Sequence, residues 1–232
     1  MSSLKPIKTC LCCGSNRIVL APVLWESLIN EWRISTYEIE YINRQQGLHC
    51  LNCYNNLRSM VLAMAVMRCF SYKGLFKDFV KEEPTQSLNI LEVNESGNLT
   101  IFLTQVAGHI LGKYPTIDMM SLPFADATFD LVVHSDTLEH TKYPIRALSE
   151  CCRVLKPDGF CAFTIPMIVD RVTISREGYP PSYHSFEQDR DDFLVHTEYG
   201  CDAWKHIMLA GFQECKIFSI EYPSAQALVG VK

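Results

Sequence analysis

The stretch Ser121–Pro166, SLPFADATFDLVVHSDTLEHTKYPIRALSECCRVLKPDGFCAFTIP, constrains the fold more than any other part of the chain. Phe129–Val133 is a short apolar run rich in β-branched residues, following the turn-like Ala125–Thr128, and reads as a buried strand. It ends in the polar cluster His134-Ser135-Asp136. From Tyr143 the period changes: Ile145, Leu148, Cys152 and Leu155 fall on one helical face, with Arg146, Glu150 and Arg153 elsewhere. Lys156-Pro157-Asp158-Gly159 should stop that helix, and Phe160–Ile165 reads as a second buried strand. A strand, an amphipathic helix and a strand in this order predict a right-handed parallel crossover.

The paired segments LPF-x-D-x-x-FD-x-V and VLKP-x-G resemble the second half of a class I S-adenosylmethionine-dependent methyltransferase, near the type 11 group. The resemblance implies an α/β fold: a Rossmann-like sheet, with S-adenosylmethionine as cofactor. Polar residues at the carboxyl ends of parallel strands face the crevice where such sheets bind ligands. His134, Ser135 and Asp136 are therefore expected on the cofactor side. His140 follows one turn later as a candidate general base, since imidazole titrates near neutral pH. Each histidine could instead serve only a strand end or a turn.

Leu88–Val93 reads as the first strand of this domain. In the family it ends in an acid followed by a glycine-rich loop whose bare backbone approaches the cofactor. Here the run is Glu92-Val93-Asn94-Glu95-Ser96-Gly97-Asn98, so Glu92 stands at the acid's place and only Gly97 remains of the glycines. Asparagine tolerates positive φ better than most residues, which lets Asn94 keep the turn. The chain is similar to a subgroup with an E-x-x-E-S loop behind a cysteine-bearing lobe. Glu92, Asn94, Ser96 and Gly97 are expected at the cofactor on that ground.

The interval up to Asp118 is short, and holds a helix over roughly 99–107 and a shortened strand over 109–114. The place of the family's ribose-binding acid reads Gly112-Lys113-Tyr114-Pro115. Lysine only donates hydrogen bonds, so it cannot accept from two ribose hydroxyls. Tyr114 or Glu92 is the expected substitute. Asp118, just before Leu122-Pro123-Phe124, matches the aspartate near the adenine; capping a turn is its other reading.

Upstream, Cys10-x2-Cys13 and Cys50-x2-Cys53 form two knuckles. Paired thiolates with backbone amides donating to sulfur are how structural zinc is held, so Cys10, Cys13, Cys50 and Cys53 are the expected Zn2+ ligands, with Cys12 and His49 as alternates. The intervening residues read as helices over 23–32 and 37–46, the latter capped by Ser35-Thr36. Leu57–Phe70 is a Met- and Leu-rich helix expected to pack on the sheet or on the metal lobe. A boundary near 70–85 gives a zinc-knuckle lobe over 1–75 and a methyltransferase-like domain over 76–232.

Past Pro166, an excursion carrying Tyr183-His184 and Val195-His196 precedes the last elements: a helix over 202–210 ending at Gly211, and strands over 212–222 and 225–229. His184 and His196 join His140 as candidate bases toward an acceptor.

The chain's 232 residues, 48% hydrophobic and 20% charged, suit one α/β domain with a small appendage. A net charge of −5 without a basic run gives no reason to expect nucleic-acid binding. The most apolar helical segment is too short to span a bilayer, and the N-terminus lacks a signal peptide's apolar core. Eleven cysteines in a chain of this kind fit reduced thiols and a cytoplasmic setting. The expected function is methyl transfer to oxygen or nitrogen of a small-molecule or glycan acceptor. The alternative is an inactive methyltransferase fold serving as a zinc-bearing interaction module.

Overall fold

A computed structural model describes residues 6–183 and 191–232. The elements run β1 (Ile18–Leu20), α1 (Glu26–Glu31), α2 (Thr36–Gly47), β2 (Leu48–Cys50), α3 (Leu57–Cys69), α4 (Phe76–Phe79), α5 (Glu83–Gln86) and β3 (Asn89–Val93). There follow α6 (Thr100–Leu103), β4 (Gly108–Gly112), β5 (Phe129–Ser135), α7 (Pro144–Val154), β6 (Leu155–Thr164), β7 (Met167–Ile168) and β8 (Ile174–Ser175). The chain closes with β9 (Thr197–Gly200), α8 (Trp204–Leu209), β10 (Glu214–Ile220) and β11 (Ala225–Val231).

Six strands form the central sheet in the order β10-β11-β6-β5-β3-β4. The four from β6 to β4 are parallel, while β11 runs antiparallel to β6 and β10 antiparallel to β11. The period-2 alternation of the strands divides the core in two. Leu91, Val132 and Phe163 face the α7 side, with Leu148 and Cys151; Ile90, Leu131, Val133 and Ala162 face α3, with Met60, Leu62 and Val66. Helix α3 is buried along most of its length because it packs across β11, β6 and β10. Its apolar character is thus that of a core helix, as its composition predicts.

The crossover β5–α7–β6 forms as expected, with two local differences. Ile145 is exposed, and the helix buries Ala147, Leu148, Cys151, Cys152 and Val154 instead. The helix stops at Val154, and β6 begins at once; pairing then jumps from Phe129↔Leu155 to Leu131↔Phe160, so Lys156–Gly159 bulges out of the strand with Asp158 at φ 62°. The helix expected over 99–107 shrinks to one 3-10 turn, Gly97–Leu99, and α6, because the chain must enter β4 at Gly108.

The N-terminal segment shares the α3-side core: Cys10, Cys12, Cys50 and Leu48 pack in one apolar cluster with Ile90, Leu131 and Val133. Helix α2 starts with a capping box in which Ser35 and Glu38 satisfy each other's backbone amides. The Glu38 carboxylate also receives two hydrogen bonds from Arg171, at 2.8 and 2.9 Å, which ties this segment to the chain after β7. A three-stranded sheet, β7-β9-β8, sits beyond the carboxyl end of β6. No helix among the described residues is long and apolar enough to cross a membrane.

Candidate functional site

Parallel strands end together, so their carboxyl-terminal residues converge on one edge. At that edge of β3, β4 and β5 lies a cavity of about 730 Å³. Its lining includes Asn94, Glu95, Gly97, Lys113, Tyr114, Asp118, Ser135, Asp136, His140 and His196. Eight of these ten are residues the sequence assigns to the site.

Asn94 adopts φ 56°, the left-handed conformation its residue type tolerates, and Gly97 adopts φ 59°. Asn94 does more than keep the turn. Its backbone amide donates to Gly112, its Oδ1 accepts from the Tyr114 amide at 3.0 Å, and its Nδ2 donates to Thr137 Oγ1 at 3.5 Å. One side chain therefore braces the ends of β3, β4 and the turn after β5, which a glycine could not do.

Glu92 and Ser96 are fully buried and do not line the cavity. The Glu92 carboxylate receives hydrogen bonds from the Ser96 amide at 2.7 Å and from Thr100 Oγ1 at 2.6 Å, and pairs with His109 Nε2 at 2.8 Å. Its three partners thus lie in the loop and helix that follow β3 and in the neighbouring strand β4. His134 likewise lies inside the sheet, stacked on Phe163 at 4.6 Å, with neither ring nitrogen hydrogen-bonded among the described residues. Burial lowers its pKa to about 3, so it is neutral at physiological pH.

Glu95 was not among the residues assigned from sequence, although the same E-x-x-E-S run displays it. Its carboxylate is exposed at the cavity, ion-paired with Lys113, and that pairing holds it below the usual carboxylate range. The lysine that cannot accept from a ribose thus orients an acid that can. Asp118 lines the cavity and also caps its turn, its Oδ1 accepting from the Met120 amide at 2.8 Å.

Asp136, at φ 49° just beyond β5, pairs with Arg58 of α3 at 2.5 Å. Burial raises the Asp136 pKa against the opposing pull of the Arg58 charge. Glu139, almost fully buried, is raised well above an ordinary carboxylic acid, first by burial and then by the nearby Asp136 charge. Arg58 is a second residue missing from the sequence assignment; nothing in a Met-rich core helix marks it.

His140 Nδ1 donates to the Leu194 carbonyl at 3.0 Å, and its Nε2 lies 3.7 Å from Glu139 Oε1. Burial lowers its pKa, and His196 is lowered for the same reason, aided by Lys142. His196 lines the cavity, its amide donating to the Glu139 carbonyl at 2.8 Å. His184 lies outside the described residues.

A second cavity of about 290 Å³ adjoins the first, sharing Asp136, His140 and Phe193 with it. Its other walls come from residues 23–46, Arg58 and Pro166–Ile168.

Cys10, Cys13, Cys50 and Cys53 bring their sulfurs within 4.8 Å of one another. Cys10–Cys53 and Cys13–Cys50 are each 3.6 Å apart, close to the roughly 3.8 Å edge of a tetrahedron with Zn–S near 2.3 Å. Against burial, the amides of Cys53 and Asn52 bring Cys50 down to about 7, the amide-to-sulfur pattern of a thiolate knuckle. The donor set is compatible with zinc. Neither alternate joins it: His49 Nδ1 bonds the Gly47 carbonyl, and Cys12 is buried outside the cluster.

Residues 97–163 match a family model described as a methyltransferase domain. A "probable S-adenosylmethionine-dependent methyltransferase" of Mycolicibacterium smegmatis is 35% identical over 72 residues, 29% of this chain and 27% of that protein. One from Mycobacterium tuberculosis is 31% identical over 91 residues, 36% of this chain and 32% of that protein. Among solved structures, a SAM-dependent methyltransferase from Thermotoga maritima aligns at 14% identity, over 89% of this chain and 97% of that one, with a TM-score of 0.43. The chain spans about a third or less of the length of the curated relatives it matches. Over the segment that runs from the Gly97 turn through β6, it is similar to S-adenosylmethionine-dependent methyltransferases.

Proposed function

We propose that the chain is an S-adenosylmethionine-dependent methyltransferase, with the cofactor in the larger cavity and the acceptor entering from the smaller one. The observation that carries this reading is the position of the larger cavity. It lies at the carboxyl edge of the parallel strands, against the Asn94–Gly97 turn, and much of its lining comes from the segment that matches methyltransferases. The residues fit the cofactor: Glu95 offers a carboxylate for the ribose hydroxyls, Tyr114 and Asp118 stand toward the adenosine end, and Asp136 lies where a cationic sulfonium would be stabilised.

When bound, S-adenosylmethionine supplies an electrophilic methyl group. The chain's own contribution is alignment of the acceptor for in-line displacement and removal of its proton. His140 would serve as the general base that takes up the acceptor's proton. Glu139, with Oε1 3.7 Å from His140 Nε2, can then hold the imidazolium. His196 is the second base within reach of the larger cavity. The four cysteines hold a structural zinc ion that fixes the N-terminal segment. Oxygen or nitrogen of a small-molecule or glycan acceptor is the expected target.

Thermal-shift titration tests the reading. S-adenosylmethionine and S-adenosylhomocysteine should each raise the melting temperature in a saturable manner, whereas ATP and NAD should not. Equal shifts with all four would argue for a general nucleotide site instead.

A further inference from the structure

We propose that Asn98 is a positioning residue that moors the cofactor turn to the second cysteine knuckle. Through it, metal at the cysteines and cofactor in the larger cavity each tighten the binding of the other. The proposal rests on the methyltransferase reading and on zinc at the four cysteines.

The two knuckles are built alike. In each, the residue after the second cysteine is left-handed, and its amide donates to the carbonyl of the first cysteine. Gly14, at φ 82°, donates to Cys10, and Tyr54, at φ 57°, donates to Cys50, both at 2.8 Å. Glycine enters that conformation freely, whereas a tyrosine holds it only where its surroundings impose it. On Tyr54 they act from two sides. The cysteine turn fixes its amide, and its carbonyl accepts from Asn98 Nδ2 at 3.0 Å. The cysteine turn and the cofactor turn thus share one strained residue.

The chain after Cys53 is tied down residue by residue. Asn55 is fully buried; its Nδ2 donates to the Cys53 sulfur at 3.5 Å, and its carbonyl accepts from the Cys50 amide at 3.0 Å. Asn56 caps α3 through the Ser59 amide at 2.9 Å, and Ser59 Oγ would lie 3.1 Å from a Cβ on Gly97. Gly97 lines the larger cavity at φ 59°, and Asn98 follows it. Asn98 is not among the described residues lining that cavity, so its effect on a cofactor passes through the backbone of the turn. With the sulfurs of Cys50 and Cys53 drawn to one ion, Tyr54 stays left-handed and its carbonyl stays toward Asn98. With the Gly97 backbone held against a cofactor, Asn98 stays toward Tyr54. Two ligands that favour the same conformation bind cooperatively, and by the same factor in both directions.

The test is an equilibrium competition for Zn2+ between the full chain and a chelator of known zinc affinity, without and with saturating S-adenosylhomocysteine. It is run on wild type, Asn98→Ala and Asn98→Asp, with calorimetry of S-adenosylhomocysteine on each zinc-loaded protein. In wild type, S-adenosylhomocysteine should tighten zinc binding about tenfold. Both substitutions remove the donor to Tyr54 and should bring that factor below about twofold while each ligand still binds. A merely structural side chain would change stability and leave the factor intact. If one variant fails to fold, the other decides. Equal zinc affinity with and without S-adenosylhomocysteine in wild type overturns the proposal, as does an undiminished factor in a folded variant. The two readings beneath it fail differently, and either failure takes the proposal with it. Wild type that binds no S-adenosylhomocysteine sinks the methyltransferase reading, and wild type that takes up no zinc sinks the metal assignment.

Discussion

Arg58 and Asp136 form an ion pair at 2.5 Å that joins the helix after the second cysteine pair to the carboxyl end of β5. Arg58 is buried, while the Asp136 carboxylate opens onto both cavities. The cysteine-bearing segment therefore helps to set the charge at the centre of the site. Two further contacts reinforce the link. Asn98 Nδ2 donates to the carbonyl of Tyr54, the residue after Cys53, and the α-carbon of Gly97 lies so near Ser59 that an added Cβ would come within 3.1 Å of its hydroxyl.

Removing the cation takes away the positive charge that opposes burial at both Asp136 and Glu139. Arg58→Met should lower stability by about 2 kcal/mol, less than the roughly 3–5 kcal/mol of a fully buried pair because Asp136 reaches cavity water. Urea denaturation at pH 7 measures it. The loss should shrink at lower pH, since both acids have raised pKa values and are protonated early as pH falls. A loss that grew on acidification would count against this account.

The two glutamates of the Glu92–Ser96 run should separate cleanly. Glu92→Gln removes the charge from a carboxylate with three internal partners and should cost roughly 2 kcal/mol of stability. Glu95→Gln should leave the melting temperature nearly unchanged, because its pair with Lys113 is exposed, yet weaken S-adenosylhomocysteine binding by about tenfold, a loss of ~1.4 kcal/mol. Denaturation and calorimetry on both variants decide. The opposite pattern would return the cofactor role to Glu92.

This separation shows how far the sequence can be read. Period and punctuation carry the sheet, the α7 crossover and the Asn94 turn, because backbone sterics and burial act locally. Which of two acids three positions apart faces the cavity depends on strand register: Glu92 points to the α3 side, and Glu95 lies past the strand end. Arg58 was illegible for a similar reason. Its partner is remote in sequence, and its own neighbours are apolar. The exposed Ile145 and the shortened α6 reflect tertiary limits, namely the early start of β6 and the entry to β4.

His134 makes the fold sensitive to acid. Its pKa falls from an ordinary 6.5 to about 3 on burial, so between those values the native state binds fewer protons than the unfolded chain. Stability is fully present above pH 6.5 and is lost as pH falls through that window, by up to ~1.4 kcal/mol per pH unit for this one group. His134→Phe keeps a ring against Phe163 and should flatten the acid limb of a stability–pH curve between pH 6 and 4. An unchanged acid limb would show that His134 does not govern it.

For the cysteines, elemental analysis of the purified protein should find about one zinc per chain. Cys10→Ser and Cys53→Ser should each lose the metal and unfold at lower urea than wild type. A variant that keeps both metal and stability would refute the four-cysteine assignment.

The cavity at the ends of β3, β4 and β5 is expected to bind S-adenosylhomocysteine, the product left by the methyl donor. Calorimetric titration of the wild-type chain with S-adenosylhomocysteine decides this. Saturable binding of one molecule per chain, weakened in Glu95→Gln, is the predicted result; no heat of binding at millimolar ligand would contradict it and leave a methyltransferase-like scaffold without its cofactor.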